Sequence, residues 1–209
     1  VRIVYYSHSG QTKRLVGAAA EGFGAAGLRV EVIHLDTSPH LPFPFPNLPY
    51  TFWMMTSTLF RVRLPLAPVV IPTGRAHLVV LAGPTWSFNP SGPILSFLDR
   101  HGRQMLEGAD VLPLISCRGY WRNHWRVLRG MIRRAGGRSL DPWVVTHPQS
   151  EPWRSLGVFL SLMGRRPWRF PVMRRRYPRF GHSGEQVAAL RALAREKGAA
   201  LLSPRPVGP

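Results

Sequence analysis

Residues 76–83, AHLVVLAG, form an almost uninterrupted apolar run, and no other stretch restricts the folding of this chain more. A strand that is apolar on both faces must be covered on both faces, the condition of a parallel sheet buried between helices. Four further runs share this character. Residues 1–6 hold Val1, Ile3, Val4, Tyr5 and Tyr6, the β-branched and aromatic types that favour strands. Residues 28–35 carry Val30, Val32 and Leu35, and the segments 110–116 (DVLPLIS) and 142–147 (PWVVTH) complete the set. Helical patterns fall between them. The first spans about 11–26, with Leu15, Val16, Ala19 and Phe23 on one stripe and Gly27 as its stop. Others are expected at 92–102, ending at Gly102, at about 121–135 before Gly136-Gly137, and at 184–202 behind a Ser183 cap. Alternation of this kind predicts a doubly wound α/β domain over residues 1–209, and no internal repeat interrupts it.

The charge is uneven. The formal net charge is +18, from 26 Arg and 2 Lys against 10 acidic residues. Residues 1–112 contribute +3, residues 113–147 +6, residues 148–184 +7 and the last 25 residues +2. A surface of that kind attracts acidic lipid surfaces, nucleic acids or acidic partners. The lone cysteine, Cys117, permits no disulfide within the chain, and no Cys/His cluster has zinc spacing, so no metal is expected. The chain enters a strand at its first residues, from which no signal peptide is expected. The expected location is the cytoplasm, with the inner face of the membrane as a peripheral site.

Two stretches break the alternation and read as insertions, 37–74 and 148–184. The first has no charge from Thr37 to Phe60 and five prolines between 39 and 49, which make that part extended. The remainder, Tyr50 to Phe60, is too short to span a bilayer. The second sets LGVFLSLMG before RRPWRFPVMRRRYPRFGHSG, apolar residues beside arginines interleaved with aromatics, as in an interfacial element. Three readings stay open for both. They cover the sheet edge or pair two copies of the chain, with their aromatics as core. They face a membrane or a greasy substrate. Or they grip single-stranded nucleic acid, against which stands the lack of any recognisable reader motif.

In an open parallel sheet, ligands sit beyond the carboxyl ends of the strands. Three loops should therefore converge: SHSGQT (7–12), GPTWSFNPSGPILSFLD (83–99) and SCRGYWRN (116–123). The first leads a strand into a helix through Ser and Gly, leaving backbone N–H groups free for an anion, above all a phosphate. Ser7, Ser9 and Thr12 can add hydroxyl donors, or Ser7 or Ser9 merely caps the helix. The loop is neither the Gly-x-Gly-x-x-Gly nor the Gly-Lys-Ser/Thr nucleotide type.

SHSGQT resembles the Ser/Thr-x-Ser/Thr-Gly-x-Thr phosphate loop of flavodoxin-like proteins. PTWSFNPSGPILSFLD is similar to the Pro-Thr-x-x-x-Asn-x-x-Gly…Phe-Leu-Asp segment of quinone reductases of the tryptophan-repressor-binding-protein type. The resemblance covers about 1–36 and 76–147 plus the last helix. The Pro/Phe-rich insert, the Cys-Arg-x-x-Trp after the fourth strand and the apolar-basic segment before the last helix resemble a smaller group. These are flavodoxin-like bacterial proteins labelled dialkylresorcinol condensing enzyme. The resemblance implies a five-stranded parallel sheet of order 2-1-3-4-5 and an FMN site. Ser7, Ser9, Gly10, Gln11 and Thr12 would hold the phosphate. Pro84, Thr85, Trp86, Ser87 and Phe88 would border the isoalloxazine, with Trp86 its flat partner, and Ser116, Cys117, Arg118, Gly119 and Tyr120 would line its pyrimidine side.

Each assignment has an alternative. Trp86 and Phe88 can be core residues between loops, and Tyr120 and Trp121 can pack on the fourth helix. Cys117 at a strand end reads as a small buried hydrophobe more readily than as a reactive thiol. His8 reads as a surface loop side chain. The third loop of related flavoproteins is small, whereas Cys117-Arg118 is bulky: Arg118 would stabilise an anionic reduced ring, or the bulk would exclude flavin. The leading expectation is an NAD(P)H-dependent FMN oxidoreductase passing two electrons to a quinone or other apolar aromatic. A one-electron carrier fits less well, since such carriers are acidic around the flavin. A flavin-free accessory protein on a membrane or lipid-biosynthetic partner is the third reading.

Overall fold

The strand-forming runs meet in one sheet. β1 (Arg2–Tyr6) lies between β2 (Glu31–Leu35) and β3 (Leu78–Trp86), parallel to both. The end of β3 folds back through a tight turn into the short antiparallel β4 (Asn89–Pro90), while its body pairs with the parallel β5 (Asp110–Cys117). The far edge of β5 takes two short parallel strands, β6 (Arg138–Ser139) and β7 (Trp143–Thr146). The order is β2-β1-β3-β5-β6, with β7 also on β5, which is the expected 2-1-3-4-5 with its fifth position shared. The computed structural model describes residues 1–178 and 180–203; Arg179 of the second insert and residues 204–209 of the expected domain lie outside them.

Side chains alternate between two layers, as the strand period of two requires. Ile3, Tyr5, Leu78 and Val80 pack under α1 (Gln11–Ala25) and α7 (Gly184–Leu202). Val4, Tyr6, Val79 and Leu81 pack under α3 (Gly92–Leu106) and α4 (Arg122–Arg134). Each buried aliphatic side chain contributes roughly 1.5–3 kcal/mol. The α1–α7 contact is close enough that a Cβ on Gly22 would lie 2.3 Å from the Arg191 carbonyl oxygen. Ser183 caps α7 as expected: its hydroxyl accepts from Gln186 N at 3.1 Å, and Gln186 Oε1 accepts from Ser183 N at 2.9 Å.

Three expectations are corrected. The second strand begins at Glu31, not 28, and Val32 is exposed while Ile33 is half-buried and Leu35 buried. A period-two element can bury only one of these sets, and on this edge strand it is the set containing Leu35. Gly102 does not end its helix, which continues to Leu106; it lies mid-helix against Ala135, and Gly108, with φ +71°, follows the true end. The proline-rich part of the first insert, expected to be extended, gives way to a helix before its last proline. After Asn47, whose Oδ1 accepts from Tyr50 N at 2.9 Å, it forms α2 (Leu48–Leu59), with Pro49 tolerated in the first turn.

The first insert is the crossover from β2 to β3, and it gives Leu41, Phe45, Met54, Leu64 and Leu66 to the core. The second insert runs from β7 to α7 through α5 (Trp153–Leu162), a 3-10 turn (Pro167–Arg169) and α6 (Pro171–Arg174), and buries Tyr177 completely. No helix among the described residues is long and apolar enough to cross a membrane.

Candidate functional site

The loop after β1 turns into α1 at Gly10, whose φ of +78° is the left-handed conformation that suits glycine. Ser7 Oγ accepts the N–H of Lys13 at 3.1 Å, so this hydroxyl caps α1. Arg14 N returns to the Gly10 carbonyl at 3.0 Å. Among the described residues no group takes the N–H of Gln11 or Thr12, which leaves the helix start open to an anion. The Gln11 side chain is engaged elsewhere: its Oε1 accepts from His182 N at 3.2 Å.

The carboxyl end of β3 presents Pro84, Thr85 and Trp86, and the chain then turns through Ser87 and Phe88, both at positive φ. Trp86 stands at right angles to Tyr6 and His8, with ring centroids 5.6 and 5.5 Å away. Thr85 Oγ1 lies 2.8 Å from Nδ1 of His124, an imidazole that burial holds down at about 3. Ser87 Oγ accepts from Thr58 Oγ1 at 2.9 Å and donates to the Met55 carbonyl at 3.0 Å. Asn89 Nδ2 donates to the carbonyls of Thr58 and Leu59, both at 3.1 Å, satisfying orphan acceptors at the end of α2. This loop therefore clamps the first insert over the strand ends.

The loop after β5 brings Ser116, Cys117 and Arg118 to the same rim. Ser116 Oγ lies 2.8 Å from His182 Nε2. Cys117 is buried, which pushes its thiol up, and its Sγ lies 3.7 Å from Thr146 Oγ1.

Together these loops and the two inserts enclose a cleft with about 1070 Å³ of empty space, open solvent at its mouth included. Ser7, Ser9, Gln11, Thr12, Pro84, Thr85, Trp86, Ser87, Ser116, Cys117 and Arg118 line it. Gly10 underlies the first loop without lining the cleft. Phe88, at the tip of the positive-φ turn, points away and pairs with Tyr120 at 5.5 Å; both are half exposed. Gly119 faces the Arg154 guanidinium instead.

The structure adds residues that sequence reasoning left out. His8 is not a surface side chain: its ring lies among Phe43, Phe45 and Trp86 at 5.0–5.5 Å. Burial holds it down at about 4, and its Nε2 is buried without a partner among the described residues. His147 stacks on Tyr177 at 5.2 Å, and its Nε2 accepts from Gly181 N at 3.2 Å. Met54, Met55 and Thr58 of α2, and Val158, Phe159 and Leu162 of α5, form the apolar wall. No carboxylate among the described residues lines the cleft. Asn89 was legible as the Asn of the second loop; the histidines and insert residues carry no local signal, since only the fold brings them here.

No family model matches the chain, and no curated protein matches it. Solved structures do. The flavoprotein in complex with FMN from Lactobacillus acidophilus NCFM aligns with a TM-score of 0.50 at 18% identity, covering 68% of this chain and 91% of its own. The flavodiiron core of Flv1 from Synechocystis sp. PCC6803 gives 0.53 at 14% identity, over 96% of this chain and 35% of its own. The flavodiiron protein from Giardia intestinalis gives 0.51 at 11%, over 96% and 36%. At these identities the likeness is one of fold: the chain has the flavodoxin-like α/β architecture.

Proposed function

We propose that the cleft binds FMN and that the protein is an NAD(P)H-dependent oxidoreductase passing two electrons to a quinone or another apolar aromatic. The observation that carries this reading is the convergence of three strand-end loops on one cleft, with an open helix start at one end and aromatic walls at the other. The groups present fit FMN. The free N–H groups of Gln11 and Thr12, the hydroxyls of Ser9 and Thr12, and the dipole of α1 suit a phosphate. The buried unpartnered Nε2 of His8 offers a further polar contact inside the aromatic wall. When bound, FMN supplies the hydride chemistry, and the protein supplies binding, orientation and electrostatics. Trp86 gives a flat wall, Arg118 a cation at the rim, and Phe45, Phe159 and Leu162 exclude water from the interior. The apolar insert walls favour an apolar acceptor over a charged one.

The test is the visible spectrum of the purified protein titrated with FMN, followed by NAD(P)H oxidation in the presence of a quinone. Flavin uptake with quinone-dependent turnover supports the proposal. A protein that leaves the FMN spectrum unperturbed and retains no flavin once the excess is removed overturns it and leaves the flavin-free accessory reading.

A further inference from the structure

Helix α2 is built inside out. Its buried positions are Thr51, Met54, Ser57 and Thr58. The inward hydroxyls of Thr51 and Ser57 donate to the carbonyls of Asn47 and Met54 at 2.9 Å, and that of Thr58 donates to Ser87 Oγ at 2.9 Å. Its outward face carries Leu48, Phe52, Met55 and Leu59 on one stripe and Trp53 beside them, with Phe60 just past the helix end. Phe52 is 62% exposed, Trp53 50% and Phe60 75%. No charged residue occurs from Thr37 to Phe60. A contiguous apolar face of this kind marks a surface that something covers.

The second insert supplies charge next to the Pro44–Phe45 segment that leads into α2. Phe45 N donates to the Leu162 carbonyl at 2.7 Å, and Gly164 packs on Pro44, so the run beginning at Arg165 starts against the first insert. Arg165, Arg166, Arg169, Arg174 and Arg175 are exposed, and none pairs with a carboxylate among the described residues. Between them Phe170 and Val172 are exposed at 52% and 72%.

We propose that the outward face of α2 and this arginine run dock the protein on an anionic lipid bilayer surface. The apolar face enters the boundary between headgroups and acyl chains, and the guanidinium groups meet lipid phosphates, the two signals that stable interfacial binding needs. A helix of 12 residues is too short to span, so it lies in the interface plane. Trp53 is the side-chain type that prefers that depth. A second copy of the chain is a poorer occupant. Each copy carries the same strong net positive charge and the same exposed arginine run, and like charge opposes association. Nucleic acid fits the arginines but leaves the uncharged α2 face in water. Met55 belongs both to the exposed face and to the cleft wall, so the cleft opens at the docked surface. The docking itself does not depend on what the cleft holds.

The experiment is flotation of the full chain with phosphatidylcholine vesicles, with and without phosphatidylglycerol. Binding to the anionic vesicles alone is expected, with Trp53 quenched by brominated acyl chains and the quenching lost in Trp53→Phe. Each arginine near an anionic surface is worth roughly fivefold in partitioning, so the triple variant Arg165→Gln, Arg166→Gln, Arg169→Gln should bind on the order of a hundredfold more weakly. The exposed pair Phe52→Ser, Trp53→Ser should keep the circular dichroism and melting temperature of the parent and lose binding at least about tenfold. Equal binding to neutral vesicles overturns the proposal. So does parental binding by the Phe52/Trp53 variant, or a dimer in light scattering that this variant abolishes. Preference for single-stranded DNA over anionic vesicles at equal salt also overturns it.

Discussion

Ser116 Oγ and His182 Nε2 lie 2.8 Å apart, joining the end of β5 to the loop that precedes α7. This contact forces a small polar pair into a place where water is excluded, because His182 is only 3% exposed. Burial, aided by Arg14, holds the imidazole down at about 4.

The same displacement recurs at His8 and His147, each at about 4, and at His124, at about 3, with burial as the leading cause throughout. A histidine whose folded value lies below its ordinary 6.5 takes up protons more readily in the unfolded chain. Its contribution is therefore complete above about 6.5 and is lost as the pH falls toward 4. We expect the melting temperature to fall steeply from pH 6.5 to pH 4 and to be nearly flat from 7 to 8. Thermal melts across this range check it, and His182→Asn should flatten the slope. A melting temperature independent of pH below 6.5 would contradict the burial of these rings.

Gly181 and Gln11 test the closure of the cleft. A Cβ on residue 181 would lie 1.9 Å from Gln11 Oε1, and the backbone there sits at φ +89°. The Gln11 amide can swing aside, but the left-handed backbone cannot relax so easily and costs about 1–2 kcal/mol for any residue with a side chain. Gly181→Ala should thus lower stability by about that amount and break the contact from His182 N to Gln11. Proteolysis of the segment between β7 and α7 should become faster, while chemical-shift changes stay near residues 11 and 181. Unchanged stability would mean that the loop is not held in this conformation.

Much of this arrangement was legible because it rests on local periodicity. The apolar run from Leu78 to Ala82 reads as a doubly covered strand, and Ser183 reads as the cap that opens the last helix. The loop from Ser7 to Thr12 was legible as a strand-to-helix turn, whereas Pro84 to Ser87 were picked out only through the resemblance of their segment to a known motif. What escaped depends on contacts distant in sequence. Gly102 looks like a stop, yet its missing side chain serves the approach of Ala135. Val32 looks like a core residue, but the edge position of β2 leaves it facing outward. α2 was hidden because its buried face carries hydroxyls and its exposed face carries aromatics, the reverse of the pattern by which amphipathic helices are recognised. His8 gave no sign of burial, since Phe43 and Phe45 reach it only through the crossover from β2 to β3.

Ser7 and Thr12 should separate into different roles although both belong to the SHSGQT segment. Ser7 Oγ already accepts from Lys13 N, so Ser7→Ala removes a helix cap and should lower stability by about 1 kcal/mol. Thr12 is buried at the open helix start, and its hydroxyl makes no hydrogen bond among the described residues. If FMN phosphate sits there, Thr12→Val removes a hydrogen bond to a charged group, worth about 1.5–3 kcal/mol. The expected outcome is roughly ten- to a hundredfold weaker FMN binding in a flavin-fluorescence titration, with the melting temperature of the apoprotein held. Equal loss of affinity in both variants would mean that the loop responds as a unit and that the hydroxyls are not distinguished.

Arg118 bears on the potential of a bound flavin. It stands at the cleft rim, and no carboxylate pairs with it among the described residues. A positive charge beside a ring that becomes anionic on reduction favours the reduced form and raises the midpoint potential. At an effective dielectric near 20, two unit charges about 4 Å apart interact by about 4 kcal/mol. In a two-electron couple about 1.4 kcal/mol corresponds to 30 mV, so the effect, reduced by solvent at the open rim, is on the order of tens of millivolts. Arg118→Ala should lower the potential by that amount, Arg118→Lys should recover much of it, and the shift should shrink as salt is added. Spectroelectrochemical titration of the three FMN-loaded proteins reads the result. An unchanged potential in Arg118→Ala would mean that the guanidinium points into solvent and that the basic third loop serves another purpose.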